Sequence, residues 1–312
     1  MSATTSPRTT DSGLVTANLI CMFSMLVWAS GLPAADRLIP LLPTDQLTCL
    51  RLSLAAGALL PLWVALEGLA PLARVNWLKG IAVGSLIGIG AWLIILGQAL
   101  GGAITAAVIS ATLPVVGIAI EVILDGRRLT SVLVIGLLLA VVGGFLALDF
   151  STGGLTLGLG ALVCFGSVVA FALGSRLTVT AFPDLSPVGR TAVTLTGAAV
   201  VTFVLALAQS FLGTPLPDFG GWGWKEVAAL LLFSVGSLGV SQVTWIMSVE
   251  RLGIGLSALH INAAPFYVML ILFALGAPWD WMRAGAAALV GIGVLVAQGI
   301  LPLPSFLTGA RP

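Results

Sequence analysis

Residues 103–124 read AITAAVISATLPVVGIAIEVIL, and residues 254–275 read IGLSALHINAAPFYVMLILFAL. The two stretches are equal in length and strongly apolar, and each carries a proline at its centre, Pro114 in one and Pro265 in the other. About 20 apolar residues at roughly 1.5 Å rise each cross the hydrocarbon of a bilayer. Both prolines are therefore expected near the midplane. Pro114 has no N–H to offer the carbonyl of Ser110, which predicts a kink and a free acceptor there. At an offset of 151 the second stretch repeats Ala107 as Ala258, Ile120 as Ile271 and Leu124 as Leu275, with Gly102 matching Gly253 just ahead. Two unrelated helices that each tolerate a proline would share as much, so a repeat needs support from the rest of the chain.

Composition sets the class. Of 312 residues, 59% are hydrophobic and 8% charged, where a soluble domain carries about 25% charge. This is the composition of a polytopic membrane protein. Thirteen basic against twelve acidic residues leave no electrostatic footprint for nucleic acid. Cys21, Cys49 and Cys164 lie in or beside apolar runs without metal-ligand spacing and read as apolar thiols. Met1 to Ser12 is too hydrophilic for a secretory signal.

At bilayer length the chain divides into ten spans, near 14–35, 46–66, 78–98, 103–124, 131–148, 155–175, 188–208, 226–248, 254–275 and 284–301. The expected organisation is an N-terminal tail (1–13), a first five-helix repeat (14–149), a linker (150–154, FSTGG), a second five-helix repeat (155–301) and a C-terminal tail (302–312). With the N-terminus inside, nine Lys or Arg fall on the cytoplasmic side and four on the other, so both termini are expected in the cytoplasm.

Five spans per half turn the second half over, so any duplication must be inverted. The halves do correspond. At an offset of 139, Arg37 meets Arg176 and Arg51 meets Arg190, and a proline precedes the later arginine of each half (Pro43, Pro183). Gly136 and Gly144 match Gly285 and Gly293 at an offset of 149. The expected fold is thus all-α, ten transmembrane helices arranged as two inverted five-helix repeats.

Ten spans in two halves, an early arginine in the second helix of each and a mid-helix proline in the fourth resemble the drug/metabolite transporter superfamily, and within it the EamA-type exporters. The likeness covers about residues 14–301 and is greatest to the aromatic amino-acid and methyl viologen exporter branch. It implies a multi-pass protein of the bacterial inner membrane that exports small metabolites by alternating access. That family often carries a glutamate just past the fourth helix of each half, where this chain reads LDGRRLT (124–130) and LGAPWDW (275–281).

No catalytic constellation is present. A single histidine rules out an HExxH or two-histidine metal site, and no glycine-rich loop ends in Gly-Lys-Ser/Thr, so neither a metal nor a nucleotide cofactor is expected. All twelve acids, Glu121 among them, are expected in loops, tails or helix ends. A midplane carboxylate is the usual partner of protons and cationic drugs, so its absence points to a neutral or zwitterionic solute. Arg51 and Arg190 lie near helix ends and read as structural pairs rather than solute contacts.

The intramembrane polar and aromatic groups supply the candidate contacts. His260 sits just ahead of Pro265, and at 100° per residue shares a face with Tyr267, while Asn262 points away. The matching face in the first half carries Thr105 and Thr112. A neutral histidine bonded to a backbone carbonyl explains His260 equally well. Trp28, Trp92, Gln98, Gln242 and Trp245 complete the candidate solute-binding set, with Pro114 and Pro265 as kink points. Trp63, Trp77, Trp222, Trp224, Trp279 and Trp281 fall near span ends and read as an interfacial belt. Gly80, Gly84 and Gly88 read as a packing face, and Ser234, Ser237, Ser241, Thr244 and Ser248 as a small polar stripe used for packing. The expected partners are a small-molecule substrate and the lipid bilayer. A multidrug exporter holding planar cations on aromatic faces is a rival reading, and a non-transporting scaffold or receptor is another.

Overall fold

The computed structural model describes residues 11–146, 158–274, 276, 278, 279 and 281–302. The expected linker at 150–154 and most of both tails lie outside them. The described residues form helices and connectors, with no strand among them. The first part of the chain supplies α1 (Asp11–Leu38), α2 (Thr44–Glu67), the short α3 (Ala70–Arg74), α4 (Trp77–Ser110), α5 (Leu113–Asp125) and α6 (Ser131–Leu146). The second supplies α7 (Leu159–Ala181), α8 (Pro187–Phe211), α9 (Trp224–Leu231), α10 (Ser241–Ala258), α11 (Ala264–Ala274) and α12 (Trp281–Ala297). A π-helical run, Leu232–Val240, joins α9 to α10, and a 3₁₀ turn, Leu259–Ala263, joins α10 to α11.

Among the described residues six helical stretches are long and apolar enough to cross a membrane: Gly13–Ala35, Thr44–Glu67, Trp77–Gly97, Leu159–Ala181, Pro187–Phe211 and Trp224–Ala263. Ser131–Gly143 and Ala284–Ala297 are shorter apolar helices. Large side chains such as Leu138, Leu162 and Phe203 face outward. In water such a surface would aggregate, and in lipid it is the matched one. Many hydroxyls inside the bundle bond back to their own helix, as Thr178 to the Gly174 carbonyl and Thr202 to that of Ala198, which satisfies those donors.

The two proline-bearing stretches are broken rather than kinked. The chain leaves α4 at Ser110, and Thr112 N–H bonds the Ile109 carbonyl at 3.0 Å in a tight turn. Pro114 is then the second residue of α5, where its missing N–H is one of those a helix start leaves unbonded anyway. Pro265 holds the same place in α11. The expected boundary between spans three and four, at 98–103, falls inside α4. In the second part the reversal comes at Gly253, whose φ of 81° favours glycine.

Close packing follows the small residues. Gly80, Gly84 and Gly88 lay α4 against the backbone of α8 between Val193 and Ala198. Gly136 and Gly293 seat α6 and α12 on one another at Ala297 and Ala140. The two proline-bearing stretches themselves touch: a Cβ on Gly117 would lie 3.2 Å from Gly255 Cα. Trp63 departs from the expected belt. It is fully buried in the core between α2, α4 and α8, with its indole against Gly189, while Trp224 and Trp281 are exposed.

Candidate functional site

A cavity of about 890 Å³, counting its open mouth, lies between helices of both parts of the chain. From the first part it takes residues of α1, α2 and α4 and the start of α5; from the second, residues of α7, of the π run and α10, and of the 3₁₀ turn. Its walls are mostly apolar. Trp28, Phe171 and Trp245 supply aromatic faces, with the Phe171 and Trp245 ring centroids 5.9 Å apart. The Trp245 indole N–H is bonded to Ser175 Oγ at 3.1 Å, which fixes the ring and leaves its face as wall.

Few of the cavity's polar groups are available to a solute. Ser24 Oγ donates to the Ser241 carbonyl, and Ser167 Oγ to that of Gly90. Gln242 is different. It is only 5% exposed, lines the cavity, and makes no hydrogen bond to a described residue. Arg51 also lines it. Its Nε donates to the Phe233 carbonyl at 3.2 Å, one Nη lies 3.5 Å from Ser237 Oγ, and the guanidinium carbon sits 4.0 Å above the Phe233 ring. The other Nη bonds to no described residue, and no described carboxylate pairs with this arginine.

Of the sequence-predicted contacts, the structure brings Trp28, Gln242 and Trp245 together in the cavity wall. Tyr267 is buried behind Trp245 in the cluster with Cys21 and Met25. His260 is buried, its Nδ1 3.3 Å from the Ser257 carbonyl, and does not reach the lining. Thr112 donates to the Ile109 carbonyl and also stays behind the wall. Trp92 is half-buried in α4 away from the lining. Gln98 belongs to α4, but its side chain and that of Thr105 lie outside the described ones. Asn262 is turned to α6, donating to the Ala140 carbonyl at 3.1 Å. The 3₁₀ turn at 259–263 advances by about 120° per residue, so regular-helix arithmetic does not apply to His260 and Tyr267.

Two residues that sequence reasoning sets aside matter here. Arg51, expected to be structurally paired, has no acid. Glu121, near the end of α5 as expected of a helix-end acid, is 6% exposed: it pairs with Arg127 and accepts the Gly255 N–H at 2.9 Å. It thereby ties α5 to the reversal at Gly253. The other ion pairs lie toward the helix ends. Arg37 pairs with Glu226 at 2.6 Å, Arg176 with Asp125, and Arg190 with Glu250 at 2.7 Å. Arg176, hydrogen-bonded to Asp125, holds that carboxyl below the usual carboxylate range. The serine stripe is spent within its own helix, Ser234, Ser237, Ser241, Thr244 and Ser248 each donating to a carbonyl one turn back. Among the described residues no three metal-ligating side chains assemble.

An all-helical polytopic membrane protein with a central cavity is the class this arrangement defines. Residues 15–148 match the EamA-like transporter family. Over 83% of its length the chain is 27% identical to the protein named uncharacterized transporter YyaM of Bacillus subtilis strain 168, covering 85% of that protein. A solved crystal structure shares the fold, with a TM-score of 0.74, 23% identity, and coverage of 92% of this chain and 97% of that one. The first two likenesses support a membrane transporter, and with it a small-molecule substrate and a lipid environment.

Proposed function

We propose that the protein is a secondary transporter that exports amino acids or similar small neutral or zwitterionic metabolites across the cytoplasmic membrane by alternating access. The observation that carries this reading is the cavity, walled by helices from both parts of the chain and polar at only a few points, as a small-solute site is. In this reading residues 14–149 and 155–301 are two inverted five-helix halves, both termini are cytoplasmic, and the solute rests between the halves. Trp28 and Trp245 form its apolar walls and Gln242 a polar contact. Pro114 and Pro265, each at the start of a helix that follows a break, are the hinge points. Thr112, His260 and Tyr267 act from behind the wall by holding those breaks in shape. The likeness to the EamA-like family over the first half supports the reading, and the aromatic walls favour solutes of the kind its aromatic amino-acid branch implies.

The test is counterflow of labelled phenylalanine, threonine and methyl viologen in proteoliposomes. Uptake of phenylalanine above that of protein-free vesicles is expected. Accumulation of methyl viologen alone would favour a cation exporter, and no exchange of any of the three would leave a scaffold or receptor.

A further inference from the structure

We propose that the cavity grips its solute by a carboxylate, through Arg51, and has no corresponding grip for an amino group. The inference rests on the transporter reading above and names the chemical class that the same site takes: carboxylates with an aromatic or bulky apolar body, amino acids among them.

A charge drawn into an apolar membrane interior is costly unless it is paired or hydrogen-bonded. The arginines in ion pairs here, Arg37, Arg127, Arg176 and Arg190, each have an acid. Arg51 has instead an aromatic face, one carbonyl and a long contact to a hydroxyl, and keeps a free Nη on a residue that lines the cavity. A guanidinium in this state is complete only when an acceptor with negative charge approaches, and its planar fork matches a carboxylate. Gln242, buried and without a hydrogen-bond partner among the described residues, can offer amide N–H groups to the same cavity. The break ahead of Pro114 adds the start of α5, since Ser110 and Leu113 line the cavity and a helix start favours negative charge.

Nothing comparable awaits a cation. No described acid lines the cavity, so an ammonium would meet no opposite charge there, and only ring faces and neutral oxygens such as those of Ser110 and Gln242. Aromatic walls beside a cationic fork describe an aryl carboxylate, with the ring between Trp28, Phe171 and Trp245 and the carboxylate at Arg51.

A ladder of four probes on the unaltered protein in proteoliposomes tests this: phenylalanine, 3-phenylpropionate, 2-phenylethylamine and phenylalanine amide. Phenylalanine and 3-phenylpropionate are expected to compete with labelled phenylalanine within about threefold of each other, and the two carboxylate-free amines at least tenfold more weakly. Arg51→Gln is expected to remove the tenfold preference while the protein still elutes as a folded species, and Arg51→Lys to restore part of it. Amines competing as well as the acids, or an Arg51→Gln variant with the preference intact, would overturn the carboxylate grip and leave the transporter standing. Because the ladder is read on the unaltered chain, a variant that failed to fold would not rescue the proposal. If labelled phenylalanine does not exchange at all, the transporter reading falls first, and binding of 3-phenylpropionate to detergent-solubilised protein, followed by quenching of tryptophan fluorescence, still decides the grip: binding at least tenfold tighter than 2-phenylethylamine upholds it, equal binding ends it.

Discussion

Four arginines stand in corresponding places in the two parts of the chain, and they are used in two different ways. Arg37 and Arg176 behave alike: each pairs with an acid from the opposite part, Glu226 for one and Asp125 for the other. Arg51 and Arg190, related by the same offset, do not. Arg190 is 4% exposed and held, with Nε on the Phe182 carbonyl at 2.8 Å, an Nη on that of Pro183 at 2.9 Å, and Glu250 beside it. Arg51 has an aromatic ring and an open cavity. Corresponding positions thus keep the same residue type while one serves as a brace and the other is left free to bind. The difference lies in what the facing residues provide, an acid, Glu250, for one and a serine and an aromatic ring, Ser237 and Phe233, for the other.

The largest test of that contrast is Arg190→Gln. Removing the brace strands the Phe182 and Pro183 carbonyls, and should lower stability by on the order of 2 kcal/mol, seen as a clear drop in the melting temperature of detergent-solubilised protein. Arg51→Gln should leave that melting temperature within about a degree or two while cutting phenylalanine exchange about tenfold. If both variants lose stability equally, Arg51 is a brace as well. Gly253→Ala probes the reversal to which Glu121 is tied. It strains a left-handed backbone and crowds the Glu121 carboxylate, so a loss of roughly 1–2 kcal/mol is expected.

Smaller effects sharpen the cavity's outline. His260→Gln should reduce exchange less than Gln242→Leu, since the histidine lies behind the wall; the reverse order in a counterflow assay would return His260 to the solute. Asp125→Asn should have the smallest effect of these variants. The Asp125 carboxyl is held low by Arg176, so whatever the pair contributes is present above the unfolded value, about 4, and is lost as pH falls through the lower folded value. A thermal-stability profile of the variant should therefore match the parent's at strong acid and fall slightly below it at neutral pH.

Much of this fold is legible in the sequence because lipid imposes a length rule on apolar runs, and the runs from α1, α2, α7 and α8 end within a few residues of where they should. The paired prolines and the paired arginines are equally visible, since they are matters of spacing. What the spacing does not carry is which partner arrives from far along the chain. Glu250 reaches Arg190 from α10, just ahead of the break at Gly253, and nothing in the sequence around Arg190 distinguishes it from Arg51. Glu121 reads as a helix-end acid, and its burial follows only once α10 is packed on it. Trp63 looks interfacial because it is near a span end, but its burial is decided by the absence of a side chain at Gly189. A shared face for His260 and Tyr267 follows only from counting along a regular helix, and one short 3₁₀ turn is enough to spoil that count.

The unshared arginine has a consequence for how cargo travels. A molecule between two matching partners would ordinarily be held from both sides and could turn end over end. In the mechanism we propose, the charged anchor belongs to α2 alone, so the passenger would be moored by one end to one partner, and the other partner would swing past it to change which side of the membrane it faces.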